Sequence, residues 1–176
     1  MMQALTPSEH AAAIAASLDR MLAFVAGCPD EDWTARPLRG RGDARPVCII
    51  ADHVAHAYDY MSGWVREIVA DGEPEIDVAL IDRLNAEHAR EAEQAAEAHP
   101  PGDTGLAGET VGTTVLISKA QASEHLRTSG GAFVALIRDL APSDLQRQNG
   151  RVRRFAEIAA RHPDTHRSEI VEALGR

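Results

Sequence analysis

Apolar residues recur three and four positions apart along most of the chain, and no stretch alternates polar with apolar, so the pattern predicts helices and no strands. Ile14, Leu18, Met21, Leu22 and Val25 mark the first helix. Thr6-Pro7-Ser8-Glu9 reads as its capping box, with Thr6 as N-cap, Pro7 at the first helical position and Glu9 reaching back. Cys28-Pro29-Asp30 ends that run, and the Arg/Gly/Pro-rich stretch from Trp33 to Gly42 reads as a loop. A second helix is expected from Pro46 to about Ala70, its apolar stripe formed by Ile49/Ile50, His53, Ala57, Met61, Trp64 and Ile68. Asp71-Gly72-Glu73-Pro74 stops it.

A third helix is expected from Asp77 to about Ala98, with Leu80, Ile81, Leu84, His88, Ala92 and Ala95 on one face. His99-Pro100-Pro101-Gly102 closes it, and a Gly/Thr-rich connection leads to Gly112. The fourth helix should span roughly Thr113 to Leu140, carrying Leu116, Ala120, Ser123, Leu126/Arg127, Gly130, Phe133, Val134 and Ile137. Its Gly130-Gly131 pair marks a bend or a close helix contact. Pro142-Ser143 and Asn149-Gly150 punctuate a linker before a last helical region, Val152 to Leu174. With no internal repeat and no low-complexity tract, the expectation is all-α: a four-helix bundle with a short extra C-terminal helix, forming one domain over residues 1–176.

Composition agrees with that reading. The chain has 176 residues, of which 44% are hydrophobic and only 4% aromatic. That is enough apolar matter for a core, of a kind that suits close-packed helices better than a β-sandwich. A formal charge of -9 argues against gripping nucleic acid, which demands neutralised phosphates. The arginines of 36–45 and 147–154 read as solvated faces and loops. There is no run of about eighteen apolar residues, so no membrane span is expected. The opening Met1-Met2-Gln3-Ala4 lacks a basic segment followed by an apolar stretch, so a cytoplasmic protein without a signal peptide is expected. Cys28 and Cys48 fit neither a disulfide framework nor a zinc-finger spacing and are expected as reduced thiols.

The common catalytic signatures are missing: no His-Glu-x-x-His, no phosphate-binding glycine loop, no Gly-x-Ser-x-Gly, no Cys-x-x-Cys, and no Glu-x-x-His of the di-iron bundles. Histidine remains, eight in all. His53 lies on the apolar stripe of the second helix, where an unpaired polar ring is costly. His162 and His166 are four apart, which on a helix stacks both rings on one face with Cβ atoms about 5–6 Å apart. Two such rings can share a metal ion, and a third from a facing helix leaves an open fourth position, the arrangement of a catalytic site. Pro163 fits the first position of a helix capped by His162, and the two rings then still lie about one turn apart. His56, beside Asp52 and Asp59, reads as solvent-facing. His88 is a rival core-facing histidine, a contact to a ligand or to the substrate if it reaches the site, and His10, His99 and His125 read as surface residues.

Two segments carry a resemblance to a known family. Pro46-Val-Cys-Ile-Ile-Ala-Asp-His53-Val-Ala-His-Ala-Tyr-Asp59 resembles the second helix of the DinB-like bundles, where a histidine follows a short apolar run. Phe155-Ala-Glu-Ile-Ala-Ala-Arg-His162-Pro-Asp-Thr-His166-Arg-Ser-Glu-Ile170 resembles their final histidine pair. The family includes the N-terminal domain of mycothiol-dependent maleylpyruvate isomerases, whose third helix Leu84-Asn85-Ala86 resembles. The resemblance implies an up-down-down-up bundle, often dimeric, with a divalent metal, zinc or nickel, held by three residues. By position those are His53, His162 and His166. Histidine at the middle position is the general DinB type, where the isomerase branch more often has glutamate.

The family relation further implies transfer or addition of a low-molecular-weight thiol at the metal, because a bound cation lowers the pKa of a coordinated thiol or water. The resulting expectation is a metal-dependent thiol transferase, isomerase or hydrolase acting on a small molecule, working as a homodimer without nucleic acid or membrane. The rival expectation is a non-catalytic bundle, with a structural metal or none, that acts through dimerisation or a protein partner.

Overall fold

The computed structural model describes residues 5–43, 45–76 and 117–176. Thr6 opens helix α1 (Pro7–Gly27) as the sequence predicts: its Oγ1 accepts from the Glu9 amide at 3.3 Å, and Glu9 Oε2 accepts from the Thr6 amide at 2.7 Å. Two orphan amides are satisfied reciprocally, which fixes where the chain turns helical. Along α1, Ile14, Leu18, Met21 and Val25 are buried, while Leu22 is only partly so.

Between α1 and the expected loop lies a short helical turn, α2 (Asp30–Trp33). Trp33 is buried, and its indole Nε1 donates to the carbonyl of Ile117 at 2.8 Å. A large apolar ring with one polar atom needs both a core and an acceptor, and here it finds both. A 3-10 turn (Arg39–Arg41) then leads to Pro46, the N-cap of α3 (Val47–Val69).

Helix α3 buries a face rotated by about one residue from the expected stripe. Its centre is Val47, Ile50, Val54, Tyr58, Met61, Val65 and Ile68, all buried. Ile49, Ala57 and Trp64 pack at the shoulder, and His53 is half-buried there. The apolar arc on α3 is broad enough to hold both rows, so spacing alone does not single out its centre.

Among the described residues the fourth expected helix begins at Lys119; its expected first turn, 113–116, lies outside them. Ser118 caps α4 (Lys119–His125) in a second capping box with Gln121. A single π turn (Leu126–Gly130) passes into α5 (Gly131–Arg138). Ala120, expected on the core face, is exposed. Gly130 marks a close helix contact, since a Cβ placed there would stand 2.7 Å from Leu18 Cδ2. The third expected helix at 77–98, with His88, and the connection with His99 fall outside the described residues.

After a 3-10 turn (Asp144–Gln146) comes α6 (Arg147–Ala173). Gln148, Asn149 and Gly150 are left-handed at its start, with φ of 48°, 56° and 78°. The kink is held by neighbours: Arg147 pairs with Asp71 and Asp144, and Gln148 Nε2 donates to the Gly72 carbonyl at 2.8 Å. From there α6 runs on through Pro163, which sits inside the helix. His162 is therefore not an N-cap, contrary to the local reading of its proline.

The protein is all-α: among the described residues every regular element is helical, and the C-terminal helix packs against both α1 and α3. Arg20 and Asp164 join α1 to α6 through two hydrogen bonds of 2.9 and 2.6 Å, and Ser17 Oγ donates to the same carboxylate at 3.2 Å. That contact fixes the rotation of α6 one residue away from Pro163. None of these helices is long and apolar enough to cross a membrane.

Candidate metal centre

The shoulder of α3 that carries His53 faces the stretch of α6 that carries His162 and His166. The His53 ring centroid lies 5.3 Å from that of His162 and 5.4 Å from that of His166, and the α6 pair are 4.5 Å apart. One nitrogen from each ring falls within 4.8 Å of the other two. The interior proline does not spread the pair, because the helix stays regular on both sides of it.

Two ring nitrogens at this point, His162 Nε2 and His166 Nδ1, are buried without a hydrogen-bond partner. Glu169 Oε2 lies 3.3 Å from His166 Nδ1, but too far off line to form a hydrogen bond. Buried polar atoms are usually partnered in a native fold, and a ligand at these nitrogens would satisfy both. Both imidazoles are also held neutral. Burial drives each pKa down to about 4; at His162 the neighbouring His166 and then Arg45 add to the effect, and at His166 Arg45 does. Neutral rings are the form in which histidine binds a cation, and the donor set is consistent with a divalent metal.

Arg45 belongs to this environment. It is buried, and its Nε and Nη2 donate to the Asp43 carboxylate at 2.9 and 2.7 Å. Burial raises the Asp43 pKa, but the Arg45 hydrogen bonds and charge outweigh it and hold that carboxyl below its ordinary value. Neither cysteine is available as a nucleophile. Cys28 and Cys48 are free and buried, and burial pushes the Cys48 thiol up to about 11.

All three histidines lie within the region that the comparison with family models marks. Residues 13–170 match the model of the DinB superfamily. The chain belongs to that superfamily. Neither a curated protein nor a solved structure gives a significant match. In this DinB-superfamily chain the histidine groups and helical framework are compatible with a metal-binding protein.

Other histidines depart from their sequence reading. His10 is 2% exposed rather than on the surface, and burial lowers its pKa. His125 and His56 do not point freely to solvent; together with Asp52 they form a second group of potential ligands. Glu169 also lies beside the site, as its position three residues after His166 on one helix signals.

Proposed function

We propose that this protein is a divalent-metal-dependent enzyme, with zinc or nickel held by His53, His162 and His166. The observation that carries the reading is the convergence of three rings from two helices around two buried, partnerless nitrogens. Three protein ligands leave coordination positions for water or substrate, as in catalytic rather than structural sites. A divalent cation there would supply Lewis acidity, lowering the pKa of a coordinated thiol or water.

The chain's own residues would do the rest. The three imidazoles bind and orient; burial and Arg45 keep the α6 pair deprotonated, so protons compete with the cation only in acid. With both protein thiols buried, the attacking sulfur of a thiol transfer would come from a low-molecular-weight co-substrate. Glu169, partly exposed and beside His166, would accept a proton at the rim. The reaction class is thiol transfer or isomerisation on a small molecule, with hydrolysis as the counterpart when water takes the thiol's place. The same reading carries a homodimer as the working form and the cytoplasm as its place of action.

Elemental analysis of the untagged protein tests the site. His53→Ala and His166→Ala are each expected to lose about one equivalent of zinc or nickel relative to the wild type while keeping their helical circular dichroism. Full retention of metal in His53→Ala would sink the three-histidine centre. Chelated protein should stay folded; unfolding on chelation would instead assign the metal a structural role.

A further inference from the structure

A quarter turn around α3 from His53, a second set of side chains converges. Asp52 and His56, four apart on α3, meet His125 at the end of α4. His125 Nδ1 lies 2.7 Å from Asp52 Oδ1, and His56 Nε2 lies 3.1 Å from Asp52 Oδ2. The two imidazole rings are edge to face, 4.6 Å between centroids. On its other side His125 Nε2 lies 3.1 Å from Asp59 Oδ2.

A neutral imidazole has one N–H. Whichever nitrogen carries it, the other turns a bare lone pair on a carboxylate oxygen, Nδ1 on Asp52 at 2.7 Å or Nε2 on Asp59 at 3.1 Å, which is repulsive unless a positive charge lies between them. An additional proton on the ring or a metal cation would supply that charge. The arrangement favours the cation on three counts. One nitrogen or oxygen from each of Asp52, His56 and His125 falls within 4.8 Å of the other two. Bonds of about 2.0–2.1 Å place neighbouring ligand atoms roughly 2.8–3.4 Å apart, which spans the 3.1 Å contact and lies just above the 2.7 Å one. Asp59 then accepts the outward N–H, as a carboxylate does behind most metal-bound histidines, fixing tautomer and ring direction.

We propose that Asp52, His56 and His125 form a second divalent-cation site, with Asp59 positioning His125. The two-histidine, one-carboxylate set suits a cation of the zinc, nickel, cobalt or ferrous class and leaves coordination positions open. Unlike the three-histidine centre, it joins α3 to α4, immediately before the π turn. Turns of this kind are costly in a helix and are frequent at functional sites. The two sites share the Asp52–His53 peptide but no ligand, so the second does not depend on the first.

The test uses the full chain loaded with excess Zn²⁺, freed of unbound metal and measured by elemental analysis, with a parallel Co²⁺ titration followed in the visible. Wild type is expected to hold two equivalents, His125→Ala one, and His53→Ala one, with different Co²⁺ spectra for the two singly loaded variants. Asp59→Asn should keep the site but weaken it roughly tenfold or more. Circular dichroism confirms that each variant is folded, and His125→Gln replaces His125→Ala if it is not. An unchanged stoichiometry in folded His125 variants, including a single wild-type equivalent that survives in them, would overturn the proposal and leave His125 bridging Asp52 and Asp59 without a metal. If only the three-histidine centre fails, wild type and His53→Ala each hold one equivalent and His125→Ala none.

Discussion

Arg45 shows how one buried charge can prepare a site it does not join. Its guanidinium is committed to Asp43 through two nitrogens, and its positive charge adds to burial in holding His162 and His166 deprotonated. Arg45→Met removes that charge and leaves the Asp43 carboxylate, which pulls the same way on His166, without its partner. Both imidazole titrations are therefore expected to move up from about 4. NMR of the ring protons in chelated protein reads this directly, and unchanged titrations would remove Arg45 from the account. At this scale the three histidines were legible in the sequence, because i,i+4 spacing and a position on an apolar shoulder are local facts. His125 was not. Its partners lie on another helix, 66 and 73 positions away in the chain, and no pattern within α4 signals them.

Among the elements, α6 carries the clearest conflict between local chemistry and outcome. Pro163 has no amide hydrogen, so the carbonyl of Ala159 lacks the donor that an ordinary helix supplies four residues on. Local rules place a helix start there, yet α6 continues, fastened by Asp164 to Arg20 and Ser17 of α1. Tertiary contacts made one residue away outweigh the break. Pro163→Ala restores the missing bond, which favours the helix by up to about 3 kcal/mol, against roughly 1–2 kcal/mol for the lost packing of a buried ring. A net gain of about 1 kcal/mol is expected in urea unfolding, with metal content unchanged. A loss of stability would mean that the ring's packing, rather than its backbone, governs this turn. The capping box of α1 was readable because it lies in four consecutive residues. The centre of the α3 stripe was not, because its buried face depends on helices packed on both sides.

For the molecule as a whole, the burial that suits His162 and His166 to a metal also sets its response to acid. Unfolded, each imidazole takes up a proton as pH falls below about 6.5, whereas in the folded protein it resists until about 4. Below 6.5 the unfolded state therefore binds more protons, so stability is fully present above that value and declines as pH falls toward 4. At pH 5 the loss amounts to about 2 kcal/mol per ring, on the order of 2–4 kcal/mol for the coupled pair. Aspartates held below their ordinary range, among them Asp43, Asp52 and Asp164, add their own loss only further down, as pH falls through their folded values. Chelated protein is thus expected to weaken in two stages, histidines first and carboxylates after, in urea titrations from pH 7.5 to 3.5. Replacing one ring, as in His166→Gln, should flatten only the first stage. A wild-type stability that stays level between pH 7 and 5 would show that these rings titrate normally, and the electrostatic preparation of the site would have to be abandoned.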